Sequence, residues 1–295
     1  MAKKALLVGL NSYPDPANNL RGCLNDVRAV RAVLQERYGF QAGRDVRLLT
    51  DGAATTRAIV AGLRWLVAGA RNGDVLVFHY SGHGSQVVDR NGDERTDGLD
   101  EIICPYDLDW RRPLTDDDLH EIVKGVPAGA NLTVVLDCCH AGTGLREGTG
   151  AARPTLPIER SPRRFRYLDP PTTSDAAPAS TAPCQWTEQG FGPARRPVRR
   201  FGRAAVDSGG LLVAACRDDQ VSADAFIHGD YHGALTYYLC EALAASSFST
   251  TYEALVREVR RLLRLNGFDQ VPQLEGPAEA RRQLAFVAAR SPVLA

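Results

Sequence analysis

The stretch Val75–Gly84, VLVFHYSGHG, decides the fold class of this chain. Its first six residues are apolar or aromatic apart from one histidine, as in a strand that is buried on both faces. A second run of this kind, Leu132–Asp137 (LTVVLD), is followed directly by Cys138-Cys139-His140. In a parallel sheet, the residues that follow such strands lie at one edge, where ligands bind. The two runs therefore predict a parallel sheet whose functional edge carries a histidine and a cysteine.

Further apolar runs alternate with amphipathic segments along the chain. The other predicted strands, also read as buried on both faces, are Ala5–Gly9, Val46–Thr50, Leu211–Ala215 and, as a sixth, Gln283–Ala288. The predicted helices are Asp26–Tyr38, Thr56–Gly69, Asp117–Lys124, Gly233–Ala245 and Tyr252–Leu265. Alternation of strands and helices favours parallel pairing with helices on both faces. The sequence therefore predicts an α/β/α sandwich with a mostly parallel six-stranded sheet.

Composition and charge limit the possible partners and the compartment. The chain has 35 basic and 35 acidic residues, so we expect no long-range attraction to nucleic acid or to an anionic membrane. No apolar run approaches the ~20 residues that span a membrane, and the first residues do not resemble a secretory signal. The seven cysteines show no CxxC spacing, which argues against a disulfide framework and favours a reducing cytoplasm.

Residues 146–208 interrupt the alternating pattern. They hold nine of the 17 prolines and show no sustained periodicity. A loop this long inside a compact domain is either functional or disordered. We therefore expect residues 1–145 to form a larger part and residues 209–295 a smaller part that completes the same sheet, with a mobile linker between them.

His83 and Cys139 are the candidate reactive pair. Each follows a predicted strand, so the two side chains are expected side by side at the sheet edge. A thiol with a pKa of ~8.5 is only a few per cent thiolate at neutral pH, and a neighbouring imidazole can activate it or protonate a leaving amine. The backbone N–H groups of Gly84 and Cys139 could stabilise the oxyanion of a tetrahedral intermediate.

Two segments resemble the catalytic motifs of metacaspases, which are relatives of the caspases: YSGHGSQ at 80–86 and DCCHAG at 137–142. Six further blocks occur in the family's order: ALLVGLNSY (5–13), LRGCLNDV (20–27), NGDERTDGLDE (91–101), LTDDDL (114–119), AACRDDQVSAD (214–224) and VPQLEG (271–276). The resemblance implies a caspase-like fold and a cysteine endopeptidase. It assigns Cys139 as the nucleophile, His83 as its partner and Cys138 as a structural neighbour.

The resemblance also implies an acidic S1 pocket, the pocket for P1, the residue before the cut. Asp137 precedes the nucleophile by two residues, and Asp26 matches the family's second acidic position, with Cys23 and Ser81 lining the pocket. Two carboxylates would bind the side chain of Arg or Lys and exclude Asp. Asp26 could alternatively be an ordinary N-cap of the helix that follows it.

Calcium is the one cofactor that the resemblance implies. Asp97, Asp116 and Asp117 match the family's calcium site, and hard oxygen ligands suit Ca²⁺. Calcium-dependent members carry a further ligand at the position that is Arg146 in this sequence, so the match is incomplete.

The composition of the linker predicts that the chain is made as an inactive zymogen. Cleavage of the linker, by the enzyme itself or by an upstream protease, would activate it. The linker's basic segment could occupy S1 as a pseudosubstrate, and Arg164, Arg166 and Arg203 are the candidate cleavage sites because no proline follows them. The expected partners are protein substrates with a basic P1 residue, and the expected state is a monomer. Three alternatives stay open: an inactive caspase-like scaffold, a related peptidase with another P1 preference, and a thiol-redox protein using Cys138-Cys139.

Overall fold

The two motif-bearing strands lie at the centre of a six-stranded sheet. The structure is a computed structural model that describes residues 1–88, 99–139, 163–171, 209–217 and 220–288, without the side chains of residues 88, 99, 116 and 117. The strands are β1 Lys3–Gly9, β2 Val46–Thr50, β3 Val75–Ser81, β4 Gly84–Val88, β5 Leu99–Ile103, β6 Asn131–Asp137, β7 Arg164–Phe165, β8 Leu211–Ala214, β9 Ala223–Ile227, β10 Asp230–Gly233 and β11 Gln273–Glu275. The α-helices are α1 Cys23–Tyr38, α2 Thr56–Val67, α3 Asp116–Val123, α4 Ala234–Ala245, α5 Tyr252–Leu265 and the one-turn α6 Ala278–Arg281.

The strand order of the main sheet is β11-β8-β6-β3-β1-β2, and every pairing is parallel except that of β11 with β8. Because β8 and β11 follow the linker in sequence, segments from both sides of the linker share this sheet. The predicted mostly parallel six-stranded α/β sandwich is confirmed.

Alternating side chains on each strand fill two separate cores. On β1, Ala5 and Leu7 face the core that includes α1, α4 and α5, whereas Leu6 and Val8 face the core that includes α2 and α3. Both faces of the central strands are therefore shielded from solvent, and β3 and β6 are buried along their whole length. This burial explains why both strands appear in the sequence as apolar runs rather than as alternating patterns.

The structure corrects two predictions about the sheet. Strand β2 lies at the sheet edge, and two of its residues are exposed, so it is not buried on both faces. Gln283–Ala288 contains no strand, only an isolated bridge at Leu284, and the sixth position in the sheet belongs to β11. Three residues are too few for a pattern of period two to be recognised, and β11 is extended because it pairs with β8.

Two small sheets lie next to the main one. Strands β10, β9 and β7 form one, in which the linker strand β7 pairs antiparallel with β9, and β4 and β5 form the other. They place linker residues across the end of the main sheet where β3 and β6 finish. Within the described ranges, no helix is both long and apolar enough to cross a membrane.

Candidate active site

The two motifs meet because β3 and β6 are parallel and in register. Ser81 pairs with Asp137 at the last position of the ladder, so His83 and Cys139 each lie two residues beyond it. The chain turns away from the sheet at Gly82, where a side-chain carbon would collide with the hydroxyl of Tyr80 at 2.7 Å. The register of the sheet thus places both residues at the same edge.

One backbone carbonyl from the linker lies between these strand ends. The N–H of Gly84 donates to the carbonyl oxygen of Arg166 at 3.0 Å, and the N–H of Cys139 donates to the same oxygen at 3.1 Å. Two backbone donors on one peptide oxygen form the arrangement that stabilises an oxyanion in acyl transfer. The carbonyl oxygen of Arg166 is therefore held by two backbone N–H donors, a geometry that can stabilise an oxyanion.

The ring of His83 is fixed in one orientation. Its Nε2 lies 2.7 Å from the carbonyl oxygen of Asn18, and because a carbonyl only accepts, Nε2 carries the proton. Nδ1 is buried and has no hydrogen-bond partner among the described residues, so its lone pair is available for a proton. Burial lowers the pKa of His83 to about 4, which keeps the imidazole neutral.

The thiol of Cys139 is fully buried beneath the linker segment. Its Sγ accepts a hydrogen bond of 2.6 Å from the N–H of Ser222. Burial nevertheless raises the pKa of Cys139 well above its ordinary value. With Arg166 in place, the resting pair is therefore a neutral thiol and a neutral imidazole.

The guanidinium group of Arg166 fills a pocket with three carboxylates. Nη2 lies 2.8 Å from Oδ2 of Asp26 and 3.1 Å from Oδ1 of Asp224, and Nη1 lies 3.2 Å from Oδ1 of Asp137. Nη1 also donates to Oγ of Ser81 at 2.8 Å. The whole Arg166 side chain has 0% exposure, so these groups replace the hydration of its two terminal nitrogens, whereas Nε is buried without a hydrogen-bond partner among the described residues. A fork of planar donors suits such a set of carboxylates.

Each pocket carboxylate is held by donors of its own. Asp137 accepts from the hydroxyls of Ser222 at 2.8 Å and of Thr236 at 2.7 Å. Asp26 accepts from the N–H of Gly233 at 3.0 Å. Asp224 accepts from two backbone N–H groups that precede α1, those of Arg21 at 2.8 Å and Gly22 at 2.9 Å. These donors fix the orientation of the three carboxyl groups around the guanidinium.

Burial and charge oppose each other in this pocket. Burial by itself would lower the pKa of Arg166, but Asp137, with smaller contributions from Cys23, Asp26 and Asp224, raises it well above its ordinary value. Burial would raise the pKa of Asp26, but Arg166 and the hydrogen bonds that Asp26 accepts bring it below its ordinary value. The guanidinium stays charged, and Asp26 stays ionised at neutral pH.

Comparison with known proteins gives the family. Residues 3–147 match the model of the metacaspase, peptidase C14 domain. Two similar curated relatives are both named Metacaspase-1. That of Schizosaccharomyces pombe is 32% identical over 97% of this chain and 69% of its own length. That of Pyricularia oryzae is 35% identical over 92% of this chain and 71% of its own length. The chain belongs to the metacaspase family.

The fold of this metacaspase also occurs in a solved structure of a Geobacter sulfurreducens protein. That likeness has a TM-score of 0.65, covers 98% of this chain and 100% of the other, and comes with 23% sequence identity, so it supports the fold alone. Members of peptidase family C14 are cysteine-type peptidases, so this metacaspase is a hydrolase with protein substrates. The predicted family and enzyme class are confirmed.

Most of the predicted site residues lie together in this metacaspase. His83, Gly84 and Cys139 surround the carbonyl of Arg166, while Asp26, Asp137 and Ser81 contact its guanidinium. Cys23 lies one turn before Asp26 on α1, and burial raises the pKa of its thiol. Asp26 is not the N-cap, because α1 begins at Cys23 with Gly22 as its cap. Cys138 is buried in the core that includes α2 and α3.

Other predicted residues lie elsewhere or are not described. Arg164 belongs to β7, and its side chain is exposed. Asp97 and Arg203 lie outside the described residues, as do the side chains of Asp116 and Asp117 at the start of α3. Among the described side chains, no group of three or more His, Cys, Asp and Glu could hold a metal ion.

Sequence reasoning missed three pocket residues of this metacaspase: Asp224, Ser222 and Thr236. The block AACRDDQVSAD contains the first two, but neither has a local pattern that marks it as part of a pocket. Strand β9 brings them to the cleft, and Thr236 arrives with the first turn of α4.

Proposed function

We propose that this metacaspase is an endopeptidase that uses Cys139 and His83 to cleave after Arg or Lys, and that its first substrate is its own Arg166–Tyr167 bond. One observation carries the proposal. The Arg166 carbonyl accepts both backbone N–H groups while its guanidinium fills the acidic pocket. A peptide bound for cleavage needs both contacts at once, one for the transition-state charge and one for specificity.

The reaction follows from this geometry. Sγ of Cys139 attacks the carbonyl carbon of Arg166, and Nδ1 of His83 takes the thiol proton. The oxyanion that forms is bound by the N–H groups of Gly84 and Cys139. The C–N bond then breaks as His83 gives the proton to the nitrogen of Tyr167, leaving a thioester. Water, deprotonated by His83, adds to the thioester and releases Arg166 as a carboxylate together with the free thiol.

The same contacts support a zymogen. While Arg166 fills S1 and its backbone covers the buried thiol of Cys139, no other P1 residue can enter. Cleavage after Arg166 would turn a tethered segment into a new chain end that can leave the cleft. Among the three candidate sites, the pocket contacts favour Arg166. The exposed Arg164 does not reach S1, and Arg203 lies outside the described residues.

Intact-mass measurement of the purified chain tests the proposal. We expect wild type to yield a fragment ending at Arg166, and Cys139→Ala and His83→Ala to remain uncut. Cys138→Ser is the matched control, because its thiol lies in the core, and it should be cut like wild type. Cleavage of Cys139→Ala, or loss of cleavage in Cys138→Ser, would contradict the assignment of the nucleophile.

The preference for a basic P1 residue rests on the charge of the pocket. An Asp side chain would lose every contact that Arg166 makes and would meet three carboxylates instead. A fluorogenic series that varies only P1 should show Arg and Lys peptides cleaved at least ~10³-fold faster than the Asp peptide. Equal rates for Arg and Asp would rule out this specificity.

Calcium regulation is a separate part of the proposal. Its predicted ligands are Asp97, Asp116 and Asp117. Of these, Asp116 and Asp117 are adjacent in the first turn of α3. When bound, calcium would supply positive charge that holds these carboxylates together. Calorimetry should detect calcium binding to wild type and weaker binding to Asp97→Asn. Identical heats for both would exclude a role of Asp97.

The oligomeric state, the compartment and the activation route complete the proposal. We propose a cytoplasmic monomer that cuts itself, with cleavage by an upstream protease as the alternative route. Light scattering on Cys139→Ala gives the mass of the uncut form, and a stable dimer would contradict the first point. Mixing wild type with Cys139→Ala separates cleavage within one chain from cleavage by a second copy, since the inactive chain can be cut only by another molecule.

A further inference from the structure

Residues 163–168, Arg-Arg-Phe-Arg-Tyr-Leu, cross the whole cleft. Their contacts therefore also indicate which side chains the positions beside P1 prefer. From their contacts we infer that the preferred substrates of this peptidase are polybasic, with Arg at P4 and P3 as well as P1, any residue at P2 and an apolar residue at P2′. The inference rests on the proposed function, because it takes Arg166 as P1.

The segment is bound as an extended peptide. Arg164 and Phe165 pair antiparallel with Asp224 and Ala223 of β9, and the N–H of Arg166 donates to the carbonyl oxygen of Ser222 at 3.1 Å. A substrate that adds a strand in this way is fixed in register by its backbone. Each side chain must then meet the protein surface beside its own position.

The P3 position is surrounded by backbone acceptors. The Arg164 guanidinium donates from Nη1 to the carbonyl oxygen of Asn19, and Nη1 also lies 3.5 Å from the carbonyl oxygen of Ala17. Both carbonyls lie in the loop that precedes α1. Carbonyl oxygens can only accept, so this part of the cleft favours a donor-rich side chain such as Arg.

The P4 position combines an aromatic face with the end of a helix. The carbon of the Arg163 guanidinium lies 4.4 Å from the ring centroid of Phe268, and Nη1 donates to the carbonyl oxygen of Gly267 at 3.0 Å. Gly267 follows α5, whose last carbonyls carry the negative end of the helix dipole. Cation–π contact, a hydrogen bond and the helix dipole all favour a cation here.

The remaining positions differ from these two. Phe165, at P2, has 48% of its surface exposed, so the site does not select it. At P2′, Leu168 packs against the core that includes α2 and α3. Its N–H donates to the carbonyl oxygen of Gly84 at 3.0 Å, and its carbonyl accepts from the hydroxyl of Ser85 at 2.6 Å. The prime side therefore binds backbone atoms and one apolar side chain.

Internally quenched peptides test the inference on the full-length, self-processed wild-type enzyme. The parent peptide is Arg-Arg-Phe-Arg-Tyr-Leu, and single alanine replacements probe P4, P3, P2, P1 and P2′. Alanine at P4 or P3 should each lower kcat/KM by ~3- to 10-fold, since cation–π contacts and exposed ionic hydrogen bonds have that strength. Alanine at P2 should change it less than about twofold, and alanine at P1 should abolish cleavage at the P1–P1′ bond, as the masses of the fragments show.

The outcomes separate the inference from the proposed function. If the P1 alanine peptide is cut as fast as the parent peptide, the proposed function fails. If P1 is required but the P4, P3 and P2 peptides behave alike, the polybasic preference alone is overturned.

The variant Phe268→Leu tests the P4 contact directly. It should lower the advantage of Arg over Ala at P4, because leucine cannot accept the cation–π contact, while the hydrogen bond to Gly267 keeps part of that advantage. The P4 alanine peptide serves as the internal control and should be cut at the wild-type rate. An unchanged preference for Arg at P4 would overturn the role of Phe268. Because Phe268 also packs against Tyr238, the peptide series on wild type decides the inference if the variant does not fold.

Discussion

The two ends of the cleft both bind arginine side chains, but one end buries its arginine among carboxylates and the other leaves its arginines near the solvent. At the buried end, Arg166 has 0% exposure and contacts three carboxylates. At the exposed end, Arg163 and Arg164 bind backbone carbonyls and an aromatic ring near the solvent. Removing one partner of a buried ion pair leaves an uncompensated charge, whereas water can replace a contact at the surface. The buried end should therefore decide whether cleavage occurs, and the exposed end only how fast.

The largest effect is expected from replacing each arginine in the chain itself. Arg166→Gln should abolish cleavage after position 166, whereas Arg164→Gln should slow it only by ~3- to 10-fold. In a Cys139→Ala background, where both chains stay intact, Arg166→Gln should also lower the free energy of unfolding by ~3–5 kcal/mol, because it leaves carboxylates buried without their cation.

Intact mass over time and urea unfolding measure these two effects. Arg164→Gln in the same Cys139→Ala background is the control, and its unfolding free energy should change by less than ~1 kcal/mol. Equal destabilisation by both replacements would remove the distinction between the two ends.

A smaller effect is expected from replacing Asp224, the pocket carboxylate that the sequence did not reveal. Asp224→Asn keeps the shape of the side chain and one acceptor oxygen, but it removes a charge that lies 3.1 Å from Nη2 of Arg166. We expect kcat/KM for an Arg peptide to fall by ~30- to 100-fold, the lower part of the range for a buried charge pair. Asp230→Asn, on the same hairpin but exposed, should leave kcat/KM unchanged. Equal losses for both would show that Asp224 acts through general charge rather than through the pocket.

A further effect concerns the pH dependence of stability and the side chains behind the pocket. Thr236 donates its hydroxyl proton to Asp137, so the contact of 3.0 Å between its oxygen and Nε2 of His79 requires Nε2 to be the donor. Burial lowers the pKa of His79 to about 4, although nearby Asp26 opposes the shift. Below the ordinary value of about 6.5, the unfolded chain gains a proton that the folded chain does not accept. Stability is therefore lost as pH falls from about 6.5 to 4.

Replacement of His79 measures this contribution. In the Cys139→Ala background, urea unfolding between pH 7 and 4 should show a shallower pH dependence for His79→Gln, by about 1.4 kcal/mol per pH unit at most. His83, whose pKa is also lowered to about 4, should preserve part of the slope. An unchanged slope in His79→Gln would mean that this histidine is not buried as a neutral ring.

The fold was predictable where burial leaves a local pattern. Strands β3 and β6 lie in the middle of the sheet, so most of their residues are apolar, and α5 was predicted with its observed bounds, Tyr252–Leu265. Strand β11 has only three residues, and its partly buried side chains show no period. Its extended form depends on pairing with β8, which is a tertiary contact.

By itself, the sequence determined the chemistry: a histidine and a cysteine after two buried strands, acidic residues near both, and arginines in the linker. The tertiary structure alone decided which arginine fills the acidic pocket, because Arg163, Arg164 and Arg166 are chemically identical and differ only in their register against β9. It also decided that Asp224 completes the pocket, 58 residues after Arg166 in the chain. Burial of one guanidinium among three carboxylates is a property of segments brought together by folding, and no local pattern encodes it.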